Sequence, residues 1–198
     1  MVAPSTSYEH FAGICAILAG VLGFLYSVAF VVLKNNLLSA LFLLLVGLFT
    51  TAVIVALYQR LKQVDASFAL WAMLLGLAGA IGSAVHGGYD LSNALHPPAQ
   101  LNADLPSQVD PRGLLTFGIA GLGLWVVAWL MLRGGEFPKQ LGYVGYVAAA
   151  LLVVLYLGRL IVLDATSVLI VVPALLAGFI ANPIWYIWLG LTLWRAPR

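Results

Sequence analysis

Six long apolar stretches constrain this chain more than any other feature of its sequence. Each is at least about 20 residues long and almost free of charge, the length that an α-helix needs to cross a bilayer. Of all residues 63% are hydrophobic and 8% are charged, against roughly 25% charged in soluble domains. We therefore predict an all-α fold, a polytopic membrane helical bundle. The predicted spans are Phe11 to Leu33, Leu37 to Tyr58, Ala66 to Val85, Gly113 to Leu132, Leu141 to Leu163 and Ala165 to Trp194.

The basic residues predict how these spans thread the membrane, because cytoplasmic loops are enriched in lysine and arginine. One side carries more of them than the other, and this imbalance predicts that both termini are cytoplasmic. Aromatic residues, which anchor helices at membrane interfaces, lie near the span ends of the same side. The basic residues of that side are Arg60, Lys62, Arg133, Lys139, Arg195 and Arg198, against Lys34, Arg112 and Arg159. The aromatic residues are Tyr58, Trp71, Trp129, Tyr143 and Trp194.

The whole chain, 1–198, is predicted to be a single transmembrane domain with one long extracytoplasmic loop at about 86–112. Its prolines favour an irregular cap, which could begin as a continuation of the third span. The pair Gly87 and Gly88 argues against a rigid helix there. The first span lacks the features of a cleaved signal peptide, so we expect it to be retained.

Small residues recur within three spans at the spacing used for close helix packing. We interpret them as contacts between helices, with a ligand-lining role as the alternative. They are Gly20, Gly23 and Ser27, then Gly76, Gly79, Gly82 and Ser83, and finally Gly142, Gly145 and Ala149.

Polar residues gather at the predicted outer ends of the third, fourth and fifth spans, where ionisable groups are the best pointers to function. They could simply mark the interface, or they could line a small polar cavity that binds a polar or anionic group through Arg112 and Arg159. Arg159 needs an acidic or carbonyl partner; Asp90 and Asp110 are plausible, and Asp90 is the predicted one. The predicted cluster contains His86, Tyr89, Asp90, Arg112, Arg159 and Asp164.

A second candidate site lies near the middle of the last span, where Asn182 precedes Pro183 and Pro173 lies farther along towards the outer end. A proline inside a helix frees a carbonyl and permits a kink. Broken helices at mid-membrane are typical of transporters, although kinked packing helices with one buried Asn are commoner.

The sequence supports no specific catalytic or metal site. Ser83, His86 and Asp90 have the residue types of a catalytic triad, but they come from one helical region and no G-x-S-x-G motif occurs. No H-E-x-x-H spacing is present, and Cys15 is the single cysteine. We assign no catalytic residue and no metal, and the sequence leaves the cofactor unknown. Dispersed basic residues make nucleic acid an unexpected partner.

Four segments are similar to a family of bacterial multi-span membrane proteins carried as a domain of unknown function. The resemblance implies an inner-membrane location and a helical bundle, and it implies no activity. The segments are HGGYDLSNALHPP (86–98), VDPRG (109–113), YLGRLIVLD (156–164) and NPIWYIWLGL (182–191).

The leading functional hypothesis is a non-catalytic bundle in the cytoplasmic (inner) membrane, acting as an accessory or small-molecule or lipid-binding component. Its expected partners are the lipid bilayer and either other membrane subunits or further copies of the chain. The alternatives are a small-solute transporter or channel that uses the kinked last span, and a membrane-embedded enzyme, which we favour less.

Overall fold

The computed structural model describes residues 7–97, 113–162, 164 and 166–195. Every secondary-structure element in these ranges is helical, and six helices are long and apolar enough to cross a membrane. The prediction of a polytopic helical bundle is confirmed. The helices are α1 (Ser7–Val32), α2 (Asn36–Leu61), α3 (Ala66–Leu95), α4 (Leu114–Gly134), α5 (Lys139–Val162) and α6 (Val168–Trp194).

Helix α3 continues past Val85, where the predicted third span ends, to Leu95, so the outer connection does begin as a continuation of that span. The glycine pair does not break it: a Cβ atom added to Gly87 would collide with the backbone of Leu44 on α2. Gly87 therefore lets two helix backbones approach closely, and the prediction that this pair disfavours a rigid helix was wrong. The first part of the predicted outer loop is helical, and 98–112 lies outside the described residues.

The six helices form an antiparallel ring in which each helix packs on its neighbours in sequence and α6 closes against α1. Glycines mark these contacts, since an added Cβ would meet the facing helix at ordinary contact distance or closer. The packing role is confirmed for most of the predicted glycines. Close pairs are Gly13 with Gly190, Gly47 with Ala80, Gly123 with Gly76, Gly121 with Ala149, and Gly158 with Leu169.

We call the end of the bundle that holds Ser7 and Arg195 the terminal face, and the opposite end the far face. At the terminal face Glu9 and Arg60 form a buried, bidentate ion pair, with Arg60 Nε 2.6 Å from Glu9 Oε1. This pair ties the start of α1 to the end of α2. Trp71 and Trp194 are exposed at the same end, as expected of interface anchors.

The packed core fills the half of the bundle nearest the terminal face. Leu57, Leu130 and Trp185 are among its fully buried members, and residues of all six helices contribute to it. The far half is built differently, because three of its helices contain π-helical segments, Val28–Val32, Leu114–Ile119 and Ala177–Ala181. Such wider turns disturb regular packing and are frequent at functional sites. A cavity lies in this half.

Candidate ligand cavity

A cavity of ≈ 640 Å³ lies on the axis of the ring, and all six helices contribute to its wall. Its lining on α3 runs from Gly76 to Asp90, which is about 21 Å along the helix axis at 1.5 Å per residue. Pockets that bind small molecules usually have volumes of roughly 300–1,000 Å³. The cavity is therefore large enough for a ligand, and the packed core forms its floor.

The wall of the cavity changes in character from the far face inwards. Tyr26, His86, Asp90, Thr116 and Arg159 line its outer end. Below this polar rim most lining side chains are aliphatic or aromatic. The lining is therefore complementary in shape and polarity to an amphipathic molecule. The apolar lining includes Leu43, Val46, Ile54, Leu124, Val127, Leu152, Leu155, Ala174 and Phe179.

His86 links two helices at the rim. Its Nε2 lies 3.3 Å from Asp90 Oδ2, one turn farther along α3, and its Nδ1 lies 3.3 Å from the hydroxyl of Thr116 on α4. Residues four apart lie on adjoining faces of a helix, which explains the first contact. Thr116 was missed, because nothing in the sequence indicates which face of α4 meets His86.

The hydroxyl of Ser83 is not part of this chain of contacts, since it donates to the carbonyl of Gly79 at 2.9 Å. Serines in membrane helices commonly donate in this way to a carbonyl one turn earlier in the same helix. The groups that do meet are the Asp90 carboxylate, the His86 imidazole and the Thr116 hydroxyl, and they could relay a proton across the rim. They come from two helices, and Thr116 takes the place that Ser83 would have in a triad.

Arg159 lies near the end of α5, where its half-buried side chain lines the cavity. Within the described residues Arg60 forms an ion pair with Glu9 and the His86 imidazole contacts Asp90, and the predicted pair between Arg159 and Asp90 is not among these contacts. Tyr26, Asp90 and Arg159 all line the outer end of the cavity. The Arg159 guanidinium can therefore donate to a ligand in the cavity.

The other members of the predicted cluster lie elsewhere. Tyr89 is 56% exposed and is not part of the cavity wall. Asp164 is exposed in the turn after α5, where the hydroxyl and the backbone N–H of Thr166 donate to its carboxylate. These bonds hold the pKa of Asp164 below its ordinary value. Arg112 lies outside the described residues.

Asn182 and Pro183 line the inner part of the cavity. They follow the π-helical segment of α6, so the irregularity predicted for the last span is present. The Oδ1 atom of Asn182 is buried and accepts no hydrogen bond from the described residues. A buried polar atom left in this state costs about 1–3 kcal/mol, which marks Asn182 as a residue that a ligand could satisfy.

Two further polar groups lie near Asn182. The Thr50 hydroxyl approaches Tyr186 but forms no hydrogen bond of ordinary geometry. The indole N–H of Trp185 is also buried and unpaired within the described ranges, and it faces Gly145 of α5. Among the same residues, no three side chains of His, Cys, Asp or Glu come together as a metal site.

The fold and the site together define a multi-pass α-helical membrane protein whose ring of six helices encloses a cavity with one polar end. Comparisons with family models, curated proteins and solved structures found no match. The resemblance to the bacterial multi-span family thus stays a prediction, and the cavity is the feature that bears on function.

Proposed function

We propose that this protein binds an amphipathic small molecule with an anionic head and an apolar chain. The observation that carries the proposal is an apolar cavity with a guanidinium, that of Arg159, at its polar end. A carboxylate or phosphate head would accept hydrogen bonds from Arg159, and the chain would extend past Leu155 towards Trp185.

Two energetic terms favour such a ligand. A hydrogen bond to a charged group contributes about 1.5–3 kcal/mol, and each methylene group removed from water contributes about 0.8 kcal/mol. Asp90 opposes an anion at the rim, but its side chain is 41% exposed and His86 lies beside it. Asp90 and Arg159 both line the cavity, but water and the imidazole screen the Asp90 carboxylate.

In the membrane we propose that both termini are cytoplasmic and that the cavity lies in the extracytoplasmic half of a bacterial inner membrane. The excess of basic residues on the terminal face supports this orientation. The role is that of a non-catalytic binding or accessory component. Other membrane subunits or further copies of the chain could receive the ligand.

A photoactivatable palmitic acid that carries a diazirine tests the proposal in lipid nanodiscs. We expect saturable labelling that excess palmitic acid displaces, and Arg159→Gln should weaken it by about tenfold or more, because about 1.4 kcal/mol corresponds to a factor of ten. Arg133→Gln is the matched control, since Arg133 stacks on Trp129 at the terminal face. Labelling that palmitic acid does not displace, or equal loss in both variants, would contradict the proposal.

A second candidate function is transport of a small solute, and Asn182 is the observation that favours it. Its buried, unpaired amide oxygen follows a π-helical segment in α6, as in the broken helices of transporters. The packed core below the cavity blocks a continuous path, so transport would require α6 to move. Flux into reconstituted vesicles that Asn182→Leu abolishes would favour transport over binding.

A further inference from the structure

The part of α6 nearest the terminal face packs against α1, whereas the part nearest the far face diverges from α1. Along Asn182–Trp194 the two helices are in close contact, with Gly190 against Gly13 and Gly20 against Pro183. Farther towards the far face, Gly178 meets Ser27. The segment Val168–Leu176 packs instead on α5.

The cause of this divergence lies in the sequence of α6. Pro173 lies inside the helix, and Ala177–Ala181 is π-helical. Prolines and π-bulges are the usual causes of helix bends. On the other side, the π-helical end of α1, Val28–Val32, packs on α2. The contacts between α1 and α6 reach as far as Ser27 with Gly178 and Phe24 with Phe179. Beyond them, towards the far face, the two helices separate.

Apolar side chains border this opening on both sides. Phe30 and Val31 of α1 are 57% and 43% exposed, and Val171 and Leu175 of α6 are each 37% exposed. All four also line the cavity. These four side chains stand on the two sides of the gap between α1 and α6. We call this gap the window, and at this depth it faces lipid hydrocarbon.

The window is at the level of the polar rim. Phe30 lies one helical turn from Tyr26, and their rings are stacked with centroids 5.8 Å apart. Tyr26 lines the outer end of the cavity together with Arg159 and Asp90. An amphiphile in one leaflet could therefore pass its chain between the helices while its head stays at the level of Arg159.

We propose that the cavity is loaded sideways from the membrane leaflet at the far face, through the window bordered by Phe30, Val31, Val171 and Leu175. The ligand is then a single-chain amphiphile dissolved in the bilayer, such as a long-chain carboxylic acid, and not a solute from the aqueous phase. This inference rests on the proposed binding function and adds the source and the route of the ligand.

The test measures how fast the diazirine palmitic acid, supplied in the bilayer of the nanodisc, reaches the cavity. Val171→Trp and Val31→Trp should each slow labelling at least tenfold, and the rate of labelling is the readout. Val85→Trp is the matched control, because Val85 is an exposed valine that does not line the cavity. Phe30→Ala should speed labelling.

The outcomes separate the two proposals. Saturable labelling at wild-type rate in both tryptophan variants, with no gain for Phe30→Ala, would overturn the window and leave the binding function standing. No displaceable labelling of the wild type would overturn both. If one tryptophan variant fails to fold, judged by size-exclusion chromatography, the other variant and Phe30→Ala decide.

Discussion

Filling the cavity should abolish binding without unfolding the protein, and Gly23 is the residue at which this can be done. Gly23 lines the cavity, and a Cβ atom added there would meet no atom within 4 Å. Gly20, one turn earlier, is different: an added Cβ would lie 2.8 Å from Ile187 and 3.1 Å from the carbonyl of Pro183. Gly23→Leu should fold, whereas Gly20→Leu should not.

The size of the effect follows from what the new side chain displaces. Leucine brings about four carbon atoms into space that the apolar chain of a ligand would occupy, and at about 0.8 kcal/mol per methylene the loss is about 3 kcal/mol. Since about 1.4 kcal/mol is a factor of ten, the Kd should rise by about a hundredfold.

The assay is displacement of the diazirine palmitic acid by palmitic acid in nanodiscs, with thermal unfolding followed in parallel by circular dichroism. Gly88→Leu is the matched control, since Gly88 also has open space around it but does not line the cavity. An unchanged Kd in a folded Gly23→Leu protein would refute the reasoning, as would an equal loss of binding in both variants.

Three further predictions concern the scaffold. Glu9→Gln leaves Arg60 buried without its charge partner and should cost about 3–5 kcal/mol; thermal unfolding in detergent checks this, and full stability would contradict it. Gly87→Leu should destabilise the contact with α2 by about 1–3 kcal/mol, while Gly88→Leu should not; equal melting temperatures would refute that. Because its pKa is lowered, Asp164 should stabilise its turn above its ordinary pKa and lose this as pH falls through the lowered value. A carboxyl titration by NMR should show Thr166→Ala raising that pKa, and no change would be the contrary result.

The helical bundle was largely predictable, because length and apolar composition alone identify each span. Span ends were harder: Gly87 looks like a helix breaker in the sequence but serves as a contact with α2. Only the neighbouring helix shows that difference. The orientation of the bundle in the membrane stays a prediction.

The polar rim was predicted in part. His86 and Asp90 share a face by helical spacing. Arg159 was expected because a charge near the end of a span needs a partner. Thr116 and Tyr26 were missed, since which face of one helix meets another depends on packing over the whole ring. Glu9 was missed for the same reason, because its partner Arg60 lies on a different helix.

The direction of the ligand inside the cavity is the central claim, and two palmitic acid probes test it. One carries its diazirine near the carboxylate and the other at the end of the chain, and the labelled peptides are identified by mass spectrometry. We expect the first probe to label residues near Tyr26 and Leu155, and the second to label residues near Ile54 and Trp185, both displaced by palmitic acid. Labelling confined to outer, lipid-facing residues such as Leu74 and Val85 would contradict the account.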